Sequence, residues 1–191
     1  SVALIILTTL TTALVLIGQV DEVWHVQAHF WTPEKGLLDR AKRDRSPYDL
    51  WVQQGYLRTT PGASVDLAHV AQDMAEIFAD LDVQAIAFDR WRMDQLQREL
   101  ERLDLELPLV PMGQGYQSIS PALDALEAAL LNGRIAHGNN PVLTMCAANA
   151  TTVKDPAGNR KLDKSRSTGR IDGMQGLTMA MGIATQAEGQ E

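Results

Sequence analysis

The stretch GRIDGMQGLTMAMGIAT, residues 169–185, decides how the rest of the chain is arranged. A polar segment ends at Asp172, and apolar residues then recur at the spacing of one helix face, as Met174, Leu177 and Met181 illustrate. The pattern predicts an apolar helix opened by Asp172. A carboxylate in the first turn of a helix is either a cap or a member of a functional site, and its position alone leaves both open.

Length and composition indicate one domain with a sizeable core. The chain has 191 residues, of which 45% are hydrophobic and 21% charged, which is ordinary for a globular protein. A single cysteine, Cys146, excludes an internal disulfide. The apolar opening, residues 2–18, is interrupted by four threonines, so it predicts two buried strands rather than a membrane span or a signal peptide.

Charge is distributed unevenly along the chain. The net charge is −7, but residues 154–170 hold six basic residues against two acids and therefore carry +4. The six are Lys154, Arg160, Lys161, Lys164, Arg166 and Arg170. A basic flap on an acidic body is suited to neutralising DNA phosphates, and the alternative is a solvated loop.

The order of the apolar patterns predicts a mixed sheet. Two continuous apolar runs and the partly alternating residues 21–30 predict three strands in an antiparallel meander. A helix over 64–81, a strand over 83–88, a helix over 91–103 and a strand over 107–110 then predict a parallel crossover. The fold class is therefore α/β, with helices flanking the sheet.

Three Pro-containing pairs predict helix starts, because Pro is favoured at the first helical position after a capping residue. They are Thr32-Pro33, Ser120-Pro121 and Asn140-Pro141. The last of these predicts a helix that runs towards Asn149.

A second acid, Asp89, directly follows the strand predicted over residues 83–88. Open α/β sheets place their sites at such strand ends, although an Asp before a helix is equally a cap. Asp89 and Asp172 can meet only if the final helix packs across the sheet. Converging carboxylates of this kind suit Mg²⁺ or Mn²⁺, and two ions about 4 Å apart activate a water and stabilise the leaving oxygen.

Other site chemistries receive little support. The chain has no P-loop, and Gly113-Gln114-Gly115 shows no sign of a dinucleotide fold. The four histidines lack zinc spacing; His25 and His29 lie four apart in a predicted strand, where a metal role is the less favoured interpretation. Cys146, in an apolar helix, is expected to be inert.

Four segments together resemble a known family. They are TALVLIG at 12–18, AIAFDRW at 85–91, HGNNPVL at 137–143 followed by Asn149-Ala150, and GRIDGMQGLTMAMG at 169–182. In this order they resemble the C-terminal nuclease domain of the large terminase subunit of tailed bacteriophages. The resemblance implies an RNase H-like fold and a two-metal endonuclease that cuts concatemeric double-stranded viral DNA during genome packaging.

The resemblance implies roles for particular residues. Asp89 and Asp172 match the catalytic, metal-binding acids, and the six basic residues of 154–170 are expected to contact DNA. The first strand departs from the family pattern, because Ile5 and Leu10 stand where acids are expected. Apolar side chains cannot bind a hard cation. The nearest possible substitutes in the sequence are Asp21, Glu22 and Asp94.

The resemblance also implies partners and a location. In the family an ATPase motor domain, absent from these 191 residues, precedes the nuclease domain, and the partners are DNA, the small terminase subunit and the portal. The expected compartment is the host bacterial cytoplasm, with no membrane contact. We expect one domain over residues 1–187 and a disordered tail over 188–191.

Two alternatives to an active nuclease stay open. A catalytically dead DNA-binding or packaging module is favoured by Ile5. An unrelated resolvase or transposase of the same fold is disfavoured by the HGNNP segment.

Overall fold

The computed structural model describes residues 1–88, 92–113, 115–165 and 170–188. The strands of the main sheet are β1 Val2–Leu7, β2 Thr12–Val20, β3 Val23–Pro33, β4 Arg58–Thr60, β5 Ala85–Phe88, β6 Leu109–Pro111 and β7 Ile135–Ala136. The helices are α1 Leu37–Asp44, α2 Tyr48–Gln53, α3 Leu67–Phe78, α4 Met93–Arg102, α5 Tyr116–Leu131, α6 Pro141–Asn149 and α7 Asp172–Glu188. A separate hairpin is formed by β8 Thr152–Lys154 and β9 Arg160–Leu162.

The predicted mixed sheet is confirmed. Its order is β4-β3-β2-β1-β5-β6, and β7 pairs with β3. The first three strands form the predicted antiparallel meander, while β5 runs parallel to β1 and β6 parallel to β5. β1 is central, and all six of its residues are buried, which explains its unbroken apolar sequence.

The two faces of the sheet are covered by different helices. Leu4, Ile6 and Val15 belong to an apolar cluster that includes residues of α5, α6 and α7, and we call this side the α7 face. Ile5 and Leu14 belong to a second cluster that includes residues of α3 and α4, and we call that side the α3–α4 face. Successive residues of a strand point to opposite faces, so the alternation along β1 separates these clusters.

α7 packs closely across β1 and β2 because it presents glycines to them. A Cβ atom on Gly176 would lie 2.9 Å from Val15 Cγ2 and 3.4 Å from Leu4 Cδ2. A Cβ on Gly173 would lie 2.9 Å from Phe30 Cζ. The helix therefore rests on the centre of the sheet, as the meeting of two distant acids requires.

Replacing Gly176 with alanine is expected to destabilise the protein. Val15 is a β-branched residue on a central strand and cannot turn away from the new methyl group. Overpacking of this kind costs about 1–3 kcal/mol, and the better helix propensity of alanine returns about 1 kcal/mol, so we expect a net loss of up to about 2 kcal/mol in the free energy of unfolding. Urea titration measures it, with Gly18→Ala as the matched control, since its Cβ would meet nothing nearer than 3.8 Å. Equal midpoints for the two variants would contradict this packing.

Two of the predicted helix starts are wrong. Thr32 and Pro33 are the last residues of β3, where they pair with β4. α5 begins at Tyr116, so Pro121 lies inside the helix, and Ser120 Oγ accepts a hydrogen bond from the backbone N–H of Arg160. A cap signal is local, and here strand pairing and burial override it. Asn140, by contrast, caps α6 as predicted.

The end of the chain is helical to Glu188. The rest of the predicted tail, residues 189–191, lies outside the described residues. In the described part of the chain, no helix has the length and apolar character needed to cross a membrane.

Candidate functional site

Asp172 is the first residue of α7 and is 4% exposed. The next residue, Gly173, touches Phe30, which pairs with Ala13, and Ala13 in turn pairs with Ile6 near the end of β1. Asp172 therefore lies on the α7 face at the C-terminal end of β1. It also lines a cavity, mostly apolar, that α2 and α6 help to close.

Asp89 lies outside the described residues, so only its strand can be placed. β5 ends at Phe88, whose Cα pairs with that of Ile5 in the parallel β1. The chain thus leaves β5 at the C-terminal ends of the central strands, which is the edge where Asp172 lies. The end of β5 and Asp172 therefore lie at one edge of the sheet.

The two apolar residues at expected acid positions are differently placed. Ile5 is fully buried on the α3–α4 face, opposite to α7. A carboxylate at position 5 would therefore point away from Asp172. The residue of β1 that is on the α7 face at this end is Ile6, 1% exposed. Leu10 is half-buried in the turn between β1 and β2, and its carbonyl accepts a hydrogen bond from the Thr32 hydroxyl.

The nearby acids in sequence do not gather around Asp172. Asp21 and Glu22 form the turn between β2 and β3, at the other end of β2 from Thr12. Asp94 is an exposed residue in the first turn of α4, on the other side of the sheet. Among the residues that the structure describes, no three His, Cys, Asp or Glu side chains are grouped so that they could hold a metal ion.

A lysine side chain occupies the space next to the carboxylate. Lys164 Nζ lies 3.6 Å from Asp172 Oδ1, and the Lys164 side chain is 52% exposed while that of Asp172 is 6% exposed. The backbone at this point is held by a tight turn, because Asp163 Oδ1 accepts hydrogen bonds from the Ser165 N–H at 2.9 Å and the Ser165 hydroxyl at 2.6 Å. The sequence places Lys164 in the basic flap but gives no sign of this ion pair.

The first part of the basic flap belongs to the β8–β9 hairpin, which is docked on α5, and the charge of its Arg160 is already paired. Arg160 Nη2 lies 2.6 Å from both Asp124 Oδ1 and Glu127 Oε2, and these bonds raise the pKa of the guanidinium further. Lys161 Nζ lies 4.6 Å from the centre of the Tyr116 ring. Arg160 is therefore neutralised in place, which sequence analysis missed because the two acids lie more than 30 residues away.

The remaining basic residues differ in accessibility. Lys154 is exposed on β8. Arg170 is half-buried, lines the same cavity as Asp172, and its carbonyl accepts a hydrogen bond from Asn149 Nδ2 at 3.1 Å. Arg166 lies outside the described residues.

A cleft of about 350 Å³ opens beside the Lys164–Asp172 pair. It is bounded by α5, by the chain from β9 to residue 165 and by α7, and Lys161, Lys164, Ser165 and Thr178 are among its lining residues. The two ammonium groups outnumber the one lining carboxylate, that of Asp163, so the cleft carries a net positive charge that can attract an anion.

The remaining candidates carry no site chemistry. His29 is in the α3–α4 half of the protein beside Trp31, and burial together with Arg58 lowers its pKa to about 4, so it is neutral at physiological pH. Burial raises the pKa of the Cys146 thiol to about 11, so the thiolate nucleophile is not formed at neutral pH.

Comparison with known proteins gives consistent matches over nearly the whole chain. The family model described as "Terminase large subunit, endonuclease domain" matches residues 7–188. The large terminase subunit of Enterobacteria phage HK97 is 58% identical over 174 residues, which cover 91% of this chain and 34% of that protein. The chain thus spans about a third of the length of that relative.

Solved structures agree. The crystal structure of the HK97 bacteriophage large terminase matches with a TM-score of 0.91 and 55% identity, over 95% of this chain and 39% of the other. The large terminase nuclease from thermophilic phage G20c, crystallised with magnesium and with cobalt, matches with a TM-score of 0.56 and 10–11% identity over 94% of this chain and 80% of the other. The fold is the RNase H-like mixed sheet that the sequence predicted.

Proposed function

Because this chain belongs to the family of terminase large-subunit endonuclease domains, we propose that it is a divalent-metal-dependent endonuclease domain acting on double-stranded DNA. The observation that carries the proposal is the buried carboxylate of Asp172, held at the C-terminal end of β1 beside a cleft with two lysines. The test is Mn²⁺-dependent cleavage of supercoiled plasmid, with wild type beside Asp172→Asn.

The residues around Asp172 fit one hard cation. Within the part of the chain that the structure describes, the Asp172 carboxylate has an ammonium group at 3.6 Å, so a positive charge is stabilised at this place. Asp89, at the end of β5, is proposed as the second ligand, because its strand ends at the same edge. Mg²⁺ and Mn²⁺ both accept such oxygen ligands. A second ion needs a further acid, and β1 offers only apolar side chains at this edge.

Each element has a role in the proposed reaction. A divalent ion, when bound, supplies a Lewis acid for phosphodiester hydrolysis. Asp172 and Asp89 would fix its position and orient the attacking water by accepting its hydrogen bonds. The apolar packing of Gly173 against Phe30 holds Asp172 rigidly, which limits the reorganisation needed during the reaction. The cleft beside Lys164 would hold the DNA backbone without reading its sequence.

The wider setting is part of the same proposal. The chain would act in the cutting of concatemeric DNA during packaging, joined to an ATPase motor domain and working with a small terminase subunit and a portal. The host bacterial cytoplasm is the corresponding compartment.

A second candidate is a catalytically inactive DNA-binding or packaging module. The observation in its favour is that both faces of β1 are apolar near Asp172, with Ile6 on one face and Ile5 on the other. A module of this kind would bind duplex DNA with an affinity independent of Mn²⁺ and would cut none.

Replacing Lys161, Lys164 and Arg166 together with alanine is expected to reduce the salt dependence of duplex binding. Each phosphate contact contributes about 0.9 to the slope of log K against log salt concentration, so a loss of up to about 2.7 is expected. Fluorescence anisotropy of a labelled duplex at several salt concentrations measures the slope.

Arg160→Ala is the matched control for that series. Its charge is already paired with Asp124 and Glu127, so the slope should stay at the wild-type value. An unchanged slope in the triple variant would refute the role of the basic flap in DNA binding.

A further inference from the structure

The positive charge next to Asp172 comes from a lysine side chain of the protein itself. Among the described residues, the ion pair recorded for Asp172 is with Lys164, at 3.6 Å. The distance exceeds that of a good charge-assisted hydrogen bond, about 2.7–2.9 Å, so the contact is mainly electrostatic and easily exchanged. It balances the charge of a carboxylate that is almost completely buried.

The two partners differ in freedom. Asp172 is fixed by α7, whose next residue is in contact with Phe30. Lys164 has a flexible four-carbon stem and is half exposed, while its backbone is held by the turn at Asp163 and Ser165. The ammonium group can therefore leave Asp172 without any movement of the main chain.

The cleft next to Asp172 offers the Lys164 ammonium group a second position. Lys164 lines it together with Lys161, Asp163, Ser165 and Thr178. Lys161 lies over the Tyr116 ring and already brings one positive charge to the cleft. A phosphate group bound there would meet two ammonium groups, which are donors of the opposite charge to its oxygens.

We propose that Lys164 alternates between two positions: on Asp172 when no divalent ion is bound, and in the cleft on a DNA phosphate when an ion occupies Asp172. The proposal rests on the proposed function, because it takes Asp172 as a metal ligand. It adds that Lys164 competes with the ion and that metal binding and DNA binding are coupled through this side chain. The ligand of the cleft is a phosphodiester of the DNA backbone.

Metal binding without DNA tests the competition. Mn²⁺ is titrated calorimetrically into wild type, Lys164→Gln, Lys164→Arg and Lys42→Gln. Removing the competing charge should tighten Mn²⁺ binding by about fivefold in Lys164→Gln, which corresponds to an ion pair of about 1 kcal/mol. Lys164→Arg keeps the charge and should stay near wild type. Lys42→Gln removes the same charge from an exposed position on α1 and should also match wild type.

The outcomes separate the inference from the proposed function. If Lys164→Gln binds Mn²⁺ no more tightly than wild type, while Asp172→Asn abolishes binding, the competition is refuted and the metal site stands. If Asp172→Asn leaves Mn²⁺ binding unchanged, Asp172 is not a ligand, and both proposals fall. The inference is supported if Lys164→Gln binds Mn²⁺ more tightly than wild type while Lys164→Arg and Lys42→Gln do not.

DNA binding tests the second position. If Mn²⁺ releases Lys164 from Asp172 and DNA then binds the released ammonium group, Mn²⁺ must raise the affinity for duplex DNA, because binding at linked sites is reciprocal. Affinity for a phosphorothioate-protected duplex is measured by fluorescence anisotropy with and without Mn²⁺. We expect Mn²⁺ to raise the affinity of wild type more than it raises the affinity of Lys164→Gln. Equal enhancement in the two proteins would overturn the assignment of Lys164 to the cleft.

Discussion

Asp172→Asn is expected to abolish Mn²⁺-dependent cleavage of supercoiled plasmid, with a loss of at least about 100-fold in rate. The substitution keeps the size and hydrogen-bonding capacity of the side chain but removes the charge that holds a hard cation. The fold should be retained, because within the described residues Asp172 forms its ion pair with Lys164, whose side chain is half exposed and can be hydrated. Circular dichroism melting curves check this point.

The control is a variant with the same chemical change at another position. Asp124→Asn removes a carboxylate from α5 that binds Arg160, while Glu127 remains as a second partner. Its cleavage rate should stay within a few-fold of wild type. Equal cleavage by wild type and Asp172→Asn would refute the proposed site. No cleavage by the wild type would favour the inactive module.

Ile5→Asp is expected to destabilise the protein by more than about 4 kcal/mol. That is a large fraction of the free energy of unfolding of a folded protein, which is usually about 5–15 kcal/mol. Ile5 is completely buried in the apolar cluster of the α3–α4 face, where a carboxylate loses its hydration. The resemblance alone would suggest that an acid at this position restores a metal site. The geometry predicts that it does not, because position 5 faces away from α7.

Ile6→Asp is the matched comparison, since Ile6 is equally buried but lies on the same face as Asp172. Both variants should melt far below wild type without metal. Saturating Mn²⁺ at about 100 times its dissociation constant is worth about 2.7 kcal/mol, or roughly 5–10 °C for a chain of this size. Because Asp172 is present in all three proteins, each should gain some stability from Mn²⁺. We expect the gain of Ile6→Asp to exceed that of wild type and the gain of Ile5→Asp to match it; an excess gain for Ile5→Asp instead would show that position 5 faces the metal.

Much of the fold could be predicted from the sequence because the patterns were long and strongly apolar. β1, β2 and α7 have unbroken or regularly spaced apolar residues, and the parallel crossover followed from the order of elements. The prediction of a helix start at Ser120-Pro121 was wrong because α5 begins earlier, and Ile119, just before this pair, is buried in the core. Three-residue strands such as β8 and β9 have no such pattern and were predicted only as a basic flap.

The site was less predictable because it depends on contacts between distant segments. The place of Asp172 could be inferred, since a helix start is local. The neutralisation of Arg160 by α5 and the pairing of Lys164 with Asp172 depend on how three segments pack together. The face of the sheet to which Ile5 and Ile6 each point can be told only from the strand register, because a shift of one residue exchanges the two faces of a sheet.

The packing of α7 on β1 and β2 also bears on how the protein is made. The last helix of the described chain covers strands formed by its first 20 residues, so these contacts span almost the full length of the sequence. Such long-range contacts form late, and during synthesis the meander emerges long before the segment that covers it. Until α7 docks, one apolar face of the central strands is uncovered and Asp172 is not in place. The nascent chain is therefore both prone to aggregation and without its candidate site until synthesis of this segment is complete.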